Sequence, residues 1–354
     1  MNKQYNAGWQ FNNMVVIRPI IDTDIDALLF IAQQAGSGFT SLPADADYLA
    51  SKIALAQQSM GSRVKQPDNE HYLFVLEDQH SQRLIGTCGI KACAGASSPL
   101  YHFKQCTDVQ ISQQLQVSRQ HPVLHLSTDY SAYSEVGSLY LHPQARQRFL
   151  GRLLAQCRYL FMQQHPERFT SNVIAQLRGC CDEQDQSPFW QWMQQHFYHC
   201  DFATVDTLTG KGEKQFIAEL APRHPVYVHT LPDAAQAAIG QVHKHTIPAR
   251  KMLEREGFVF NHYIDLFDAG PSLIAPLQAL KSVRNSAQLP CKIVNNNASS
   301  PATHTLTNTA LAAFRATMGH ARVDINNGQV YICEQVARLL QLNSGDPIRF
   351  SPLS

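Results

Sequence analysis

Residues 137–161 join a short strand to a helix through a basic loop, and few architectures can contain that junction. Gly137-Ser138-Leu139-Tyr140-Leu141 reads as a strand that stops at His142-Pro143, where proline has no N–H for a ladder. After Arg146-Gln147-Arg148-Phe149-Leu150-Gly151, apolar residues return at helical spacing as Phe149, Leu153, Leu154, Cys157, Leu160 and Phe161. A helix entered this way turns free backbone N–H groups and its positive dipole end toward the loop. Arg146 and Arg148 add charged donors, so the loop has the size and chemistry of a phosphate cradle. A solvated basic helix start is the other reading.

The patterns on either side set the fold class. Met14 to Arg18 is a β-rich run, and Ile25, Leu28, Leu29 and Ala32 share a helical face before Gly36. The turn-forming loop Gly38 to Pro43 precedes a second amphipathic pattern reaching about Ala56. Tyr72 to Leu76 and Leu84 to Ile90 flank a polar turn as a hairpin. Further on come a strand at Asn172 to Leu177, a helix holding Phe189, Trp190 and Met193, and a strand at Phe216 to Leu220. Antiparallel hairpins first and an α/β crossover later predict an α+β fold, a mixed and largely antiparallel sheet flanked by helices.

The expected organisation is a disordered extension over 1–13, with Met14 a candidate start, and a main domain over 14–283. Within it Val259 to Phe267 is β-rich and ends at Asp268-Ala269-Gly270-Pro271. Residues 284–306, which include Asn295 to Ser300, read as a Ser/Asn-rich linker, and 307–354 as a small β-rich C-terminal subdomain.

Composition narrows the chemistry. The 354 residues, 44% apolar, are enough to bury a real core, and 29 basic against 28 acidic residues leave a formal charge of +1. That balance gives no electrostatic footprint for nucleic acid or an anionic membrane surface. Nine cysteines without a C-x-x-C pair read as reduced thiols, and no apolar run approaches the roughly 18 residues of a membrane span. The expectation is a cytoplasmic protein acting on small molecules.

Among sixteen histidines, His243 stands between two short helical patterns in the segment Gln215 to Phe258. Its pKa class suits proton transfer, as does that of His224, His229 and His245, and a surface or structural histidine is the commoner case. Leu139 reads equally well as a core leucine. His196, His199 and Cys200 lack a fourth ligand for a closed zinc site, so no metal is expected, and no signature marks Cys180 or Cys181 as a nucleophile.

Several blocks in order carry a resemblance: F-I-A-E-L from Phe216, R-H-P-x-Y from Arg223, G-Q-V-H ending at His243, and P-A-R-x-x-L-E-x-E-G-F ending at Phe258. Ser134-Glu135-Val136-Gly137-Ser138-Leu139-Tyr140-Leu141-His142-Pro143 is similar to S-E-L-x-x-L-F-L-D-P. Together they resemble the arginine N-succinyltransferases, over about Met14 to Val283 with a weaker echo from Gln329 to Phe350. The basic loop resembles the pyrophosphate turn of GNAT acyltransferases, R-x-x-G-x-G or R-x-x-G-x-A, with Arg146 and Gly151 matching and Phe149 in place of the inner glycine. Two blocks depart further: N-D-H-T-G is Thr128-Asp129-Tyr130-Ser131-Ala132 here, and A-E-M-R-G is Ala175-Gln176-Leu177-Arg178-Gly179.

The resemblance implies a GNAT-like core that transfers succinyl from succinyl-CoA, a co-substrate and not a resident cofactor, to the α-amine of L-arginine. His243 would be the proton donor, Leu139 would meet the acyl-CoA, and Arg146, Arg148 and Gly151 its phosphates. A guanidinium calls for carboxylates, with Glu135, Asp182 and Glu183 as candidates, and a succinyl carboxylate calls for an arginine, with Arg178 the candidate. Assembly as a homo-oligomer, or as a heteromer with a paralogous subunit, is also implied. A related N-acyltransferase with another amine, such as ornithine, or another acyl-CoA, and a non-catalytic ligand-binding subunit, stay open as other readings.

Overall fold

The computed structural model describes residues 14–35, 41–61, 63–146, 149–182, 186–210, 212–295 and 300–353. The expected extension over 1–13 lies outside them. β1 (Val15–Pro19) turns into α1 (Ile25–Ala35), and α2 (Ala46–Gly61) leads to the hairpin of β2 (His71–Asp78) and β3 (Arg83–Lys91). Leu28, Ile31 and Ala32 of α1 and Leu49, Ile53 and Ala56 of α2 fall at helical spacing and close one core with Leu73, Val75 and Leu84. Arg18 bridges Asp24 at 2.7 Å and Glu77 at 2.6 Å, tying β1 to the turn before α1 and to β2.

A second, longer hairpin follows, β4 (His102–Ser112) and β5 (Val117–Ser127). Sequence patterning misses it because its residues are largely polar and few of them are buried. The strand–loop–helix junction is β6 (Ser134–Leu141) and α3 (Leu150–Gln164), followed by β7 (Asn172–Gln176). Short elements come next: α4 (Pro188–Met193), α5 (Phe202–Gly210), α6 (Gln215–Leu220), β8 (Val226–Tyr227), α7 (Asp233–Ala238) and α8 (Ile247–Glu256). The hairpin β9 (Val259–Asp265) and β10 (Pro271–Pro276) leads to α9 (Lys281–Arg284). The chain ends with β11 (Ala287–Val294), β12 (His304–Asn308), β13 (Ala316–Gly319), β14 (Arg322–Asp324), β15 (Gln329–Cys333), α10 (Glu334–Leu340) and β16 (Pro347–Pro352).

These elements form two compact units. The first takes in the described residues of Met1–Ala92, Val136–Phe169 and Leu277–Ser354. Its strands run in the order β14-β15-β11-β16-β12-β13-β1-β2-β3-β6, antiparallel at most pairings and parallel between β11 and β15. The second unit, Cys93–Glu135 and Thr170–Pro276, has the order β7-β10-β9-β4-β5-β8, with the start of β6 parallel to β7 through Ser134 and Glu135. The fold is α+β, a mixed and largely antiparallel sheet with helices, as the element order predicts. Among the described residues no helix is long and apolar enough to cross a membrane.

Two expectations need correction. Phe216 to Leu220 is not a strand but most of α6, with Ile217 buried in the second unit's core. A run this short carries no period that separates a strand from a buried helical turn. Residues 284–306 are not a linker: Leu289, Cys291 and Ile293 alternate along β11 into a core with Leu306, Val330 and Ile348. The Asn/Ser cluster outweighs that alternation in composition, and its residues 296–299 lie outside the described ones. Residues 307–354 form the expected β-rich C-terminal region, joined to the rest of the first unit where β13 pairs with β1 and Phe314 packs on Phe74 and Phe161 at ring separations of 5.3 and 4.9 Å.

Phe314 is therefore a core residue of the whole first unit. Phe314→Ala should cost about 3–5 kcal/mol, read as a lower urea midpoint in unfolding followed by fluorescence. A loss below about 1 kcal/mol would mean that Phe314 is not part of that core.

Candidate active site

In the first unit, β6 is irregular where the resemblance places the acyl-CoA. Ser138 adopts φ 49°, a left-handed conformation inside a strand, so the backbone bulges there. The bulge is held from both ends: the Ser138 carbonyl accepts the Thr87 hydroxyl at 2.8 Å, and Ser138 Oγ donates to Ser41 Oγ at 3.1 Å. Leu139, the next residue, is half-buried. The strand ends at Leu141, whose carbonyl accepts Arg146 Nε at 3.2 Å, and Arg146 is otherwise exposed.

Among the described residues, the first helical hydrogen bond of α3 runs from Leu153 N–H to the Phe149 carbonyl at 2.9 Å, and the N–H groups of Leu150, Gly151 and Arg152 precede the helix's own ladder. Arg148 lies outside the described residues. Phe149 itself has φ 69° and ψ 2°. The loop thus keeps the backbone shape that glycine adopts freely, and a bulky side chain bears a cost of about 1–2 kcal/mol to hold it. Arg152 stacks its guanidinium 5.0 Å above the exposed Phe149 ring, which offsets part of that cost.

In the second unit, burial separates the four candidate histidines. His224, His229 and His245 are exposed, whereas His243 is only 7% exposed. As predicted, it stands between α7 and α8, the latter flanked by Thr246 at its N-cap, with Pro248 in its first turn, and by Gly257, φ 115°, at its C-cap. Val242 bridges to Gly179, and the His243 N–H donates to the Arg178 carbonyl at 3.0 Å. The His245 N–H donates to His243 Nδ1 at 3.3 Å. A backbone N–H can only donate, so the neutral ring carries its proton on Nε2.

The other expected residues of this unit take varied positions. Glu135 is buried and accepts Gln176 Nε2 at 2.9 Å. Arg178 touches His243 through its backbone, and its guanidinium lies 3.8 Å from Cys181 Sγ. Asp182 accepts the Gln186 N–H at 2.9 Å, and Glu183 lies outside the described residues. Among the described residues no three His, Cys, Asp or Glu side chains are grouped to hold a metal.

Sequence reasoning takes Asp268 only as part of a strand-ending turn. Its carboxylate accepts the Gly179 N–H at 2.7 Å and the Gly270 N–H at 2.8 Å, while the Ala269 carbonyl accepts the Gly240 N–H at 2.9 Å. A Cβ at Gly179 would collide with the Asp268 carbonyl and carboxyl, and one at Gly270 with the Leu177 carbonyl. Burial first, then the Asp265 charge, push the Asp268 carboxyl up to about 7, against the opposing pull of the two N–H groups and Arg178. The available signal is the Asp-x-Gly spacing of residues 268–270 opposite Arg178-Gly179.

The profile described as arginine N-succinyltransferase beta subunit matches residues 15–282, and the profile for the C-terminal domain of that beta subunit matches 288–352. The chain belongs to the arginine N-succinyltransferase family. The arginine N-succinyltransferases of Salmonella paratyphi B and Salmonella newport are each 41% identical to it over 273 residues, 77% of this chain and 79% of theirs. The solved arginine/ornithine succinyltransferase subunit AI from Pseudomonas aeruginosa matches with a TM-score of 0.88 at 33% identity, over 97% of this chain and 100% of that one. As a member of the arginine N-succinyltransferase family, the chain is an acyltransferase. The two family matches divide between residues 282 and 288, whereas the compact units group Leu277–Ser354 with the N-terminal strands.

Two outcomes follow for this arginine N-succinyltransferase family member. Phe149→Val, which puts a β-branched residue into the left-handed region, should be less stable than Phe149→Gly by about 1–2 kcal/mol in urea unfolding. Equal stabilities would mean the loop does not hold φ 69°. The second concerns Asp268: its folded form keeps a proton that the unfolded chain releases from about pH 4 upward. The stability it contributes is present at low pH and is lost as pH rises toward about 7. Melting temperatures of the unmodified chain should therefore fall relative to Asp268→Asn across that window, and parallel curves would refute the raised value.

Proposed function

We propose that the protein is an arginine N-succinyltransferase that moves succinyl from succinyl-CoA to the α-amine of L-arginine by direct attack. The observation that carries this reading is His243: a buried histidine in the G-Q-V-H block, held at its backbone by Arg178 and at Nδ1 by His245 so that Nε2 bears the proton. The neutral α-amine adds to the thioester carbonyl, and the tetrahedral species collapses with release of the CoA thiolate. The extra proton of the new amide nitrogen passes to His243, and the imidazolium so formed gives a proton from Nε2 to the thiolate, so the ring ends neutral as it began. The names of the relatives support the choice of arginine and succinyl.

The co-substrate is read from the first unit. The bulged backbone at Ser138 and Leu139 would meet the thioester and its pantetheine arm, and the N–H groups of Leu150 and Gly151 with Arg146 would take the pyrophosphate. Arg148 belongs to the same proposal. Glu135 is the carboxylate proposed for the guanidinium and Arg178 the cation proposed for the succinyl carboxylate. No resident cofactor is involved.

Ornithine is a second reading of the amine, and the name of the Pseudomonas relative, an arginine/ornithine succinyltransferase subunit, supports it. The proposal also includes a cytoplasmic location and assembly with a second copy or with a paralogous chain, the latter supported by the word subunit in the name of the Pseudomonas relative.

Purified protein given succinyl-CoA and L-arginine should release thiol, and His243→Ala should lower kcat by about 10²-fold or more. Turnover unchanged in His243→Ala would remove the proton-donor role. A panel of amines and acyl-CoAs read the same way decides the substrate, and a preference for another acyl-CoA would sink the succinyl assignment.

A further inference from the structure

We propose that Asp268 is a positioning residue for the proton donor, its carboxylate fixing the Gly179 end of the β7 extension from which the Arg178 carbonyl holds His243. The proposal rests on His243 as proton donor. The contacts form a short, continuous chain: Asp268 Oδ2 to Gly179 N–H at 2.7 Å, one peptide link to Arg178, and the Arg178 carbonyl to His243 N–H at 3.0 Å. A second route joins the same turn to the same loop, since the Ala269 carbonyl takes the Gly240 N–H at 2.9 Å, three residues before His243. Glycines at 179 and 270 allow this approach, and a side chain at either would strike the turn or the strand opposite.

The geometry makes the support dependent on protonation. As a carboxylate, Asp268 accepts from Gly179 through one oxygen and from Gly270 through the other. Protonation turns one of those oxygens into an O–H donor that competes with the N–H it served, and the Gly179 anchor loosens. The groups around Asp268 are Asp265 from its own turn, which raises its pKa, and Arg178 from the β7 extension, which lowers it. The Cys180 thiol from that extension is itself raised by burial and by Asp268. His102 of β4, lowered by burial, interacts with Asp265. Loosening at low pH therefore gives kcat an acid limb that belongs to Asp268.

Asp265 offers a clean probe. Its Oδ1 alone accepts the N–H groups of Phe267 at 2.7 Å and Asp268 at 3.0 Å, so Asp265→Asn keeps both bonds and removes only the charge. Initial rates with succinyl-CoA and L-arginine, measured across about pH 5 to 9, compare four variants with the unmodified chain: Asp268→Asn, Asp265→Asn, His243→Ala, and His243→Ala with Asp268→Asn. Asp268→Asn should lower kcat about tenfold, leave KM for succinyl-CoA within about twofold and lose the acid limb. In the His243→Ala background it should change kcat by less than about twofold. Asp265→Asn should move the acid limb to lower pH by about half a unit or more.

An Asp268→Asn enzyme with unchanged kcat and acid limb would overturn the proposal, as would an equal loss in the His243→Ala background. If Asp268→Asn does not fold, Asp265→Asn decides alone, and an unmoved limb overturns the proposal. Full activity in His243→Ala is a different result: it removes the proton donor, while the response of the limb to Asp265→Asn still reports whether Asp268 governs the rate.

Discussion

The end of β7 is where the second unit's constraints meet. Leu177 N–H reaches the Pro271 carbonyl at 3.2 Å, the Gly179 N–H reaches Asp268, and the Arg178 carbonyl takes the His243 N–H. Each bond uses a different backbone group of three consecutive residues, so the strand is read on both edges past its last regular pair, Ser272 with Gln176. Had one of these groups been left unpaired in a buried position, the cost would be about 1–3 kcal/mol, which is why the segment cannot shift without its neighbours. His243 inherits its position from this segment and not from a helix, because the 3-10 turn it opens is only three residues long.

The first unit solves its positioning problem with backbone strain instead of glycine. Ser138 and Phe149 both take positive φ, one inside β6 and the other at the mouth of α3, at the two ends of the strand–loop–helix junction. Neither has the freedom of glycine, so each must be over-determined by its surroundings. For Ser138 the means are visible in its bonds to Thr87 and Ser41, and Gly89 leaves the room beside it. For Phe149 the compensation is the Arg152 guanidinium stacked on its ring. Strained positions of this kind concentrate where a ligand must meet the backbone, and both fall where the resemblance puts the acyl-CoA.

What is legible in the sequence follows from periodicity. The α1, α2 and α3 faces and the β2–β3 hairpin repeat apolar residues at clear spacing, and all four fold as read. The β4–β5 hairpin is invisible because a ribbon with little burial on either face has no apolar alternation to find. β11 is hidden by the polar cluster after it, although Leu289, Cys291 and Ile293 carry the alternation. At the site, His243 is legible only through its motif. For Asp268 the sequence offers only the Asp-x-Gly spacing, because its contacts depend on two glycines about ninety residues apart coming within hydrogen-bonding distance of one carboxyl.

Burial also explains why one histidine of four is suited to the chemistry. An exposed imidazole such as His245 exchanges its hydrogen bonds with water and holds no fixed tautomer. His243 is covered, and the donor aimed at its Nδ1 is a backbone N–H that cannot reverse its role. The donor is the N–H of His245, within the G-Q-V-H-K-H-T run itself, so the tautomer is set locally, while the placement of the ring is set from β7 and the Asp268 turn. Local sequence therefore orients the ring of His243, and the tertiary fold places it.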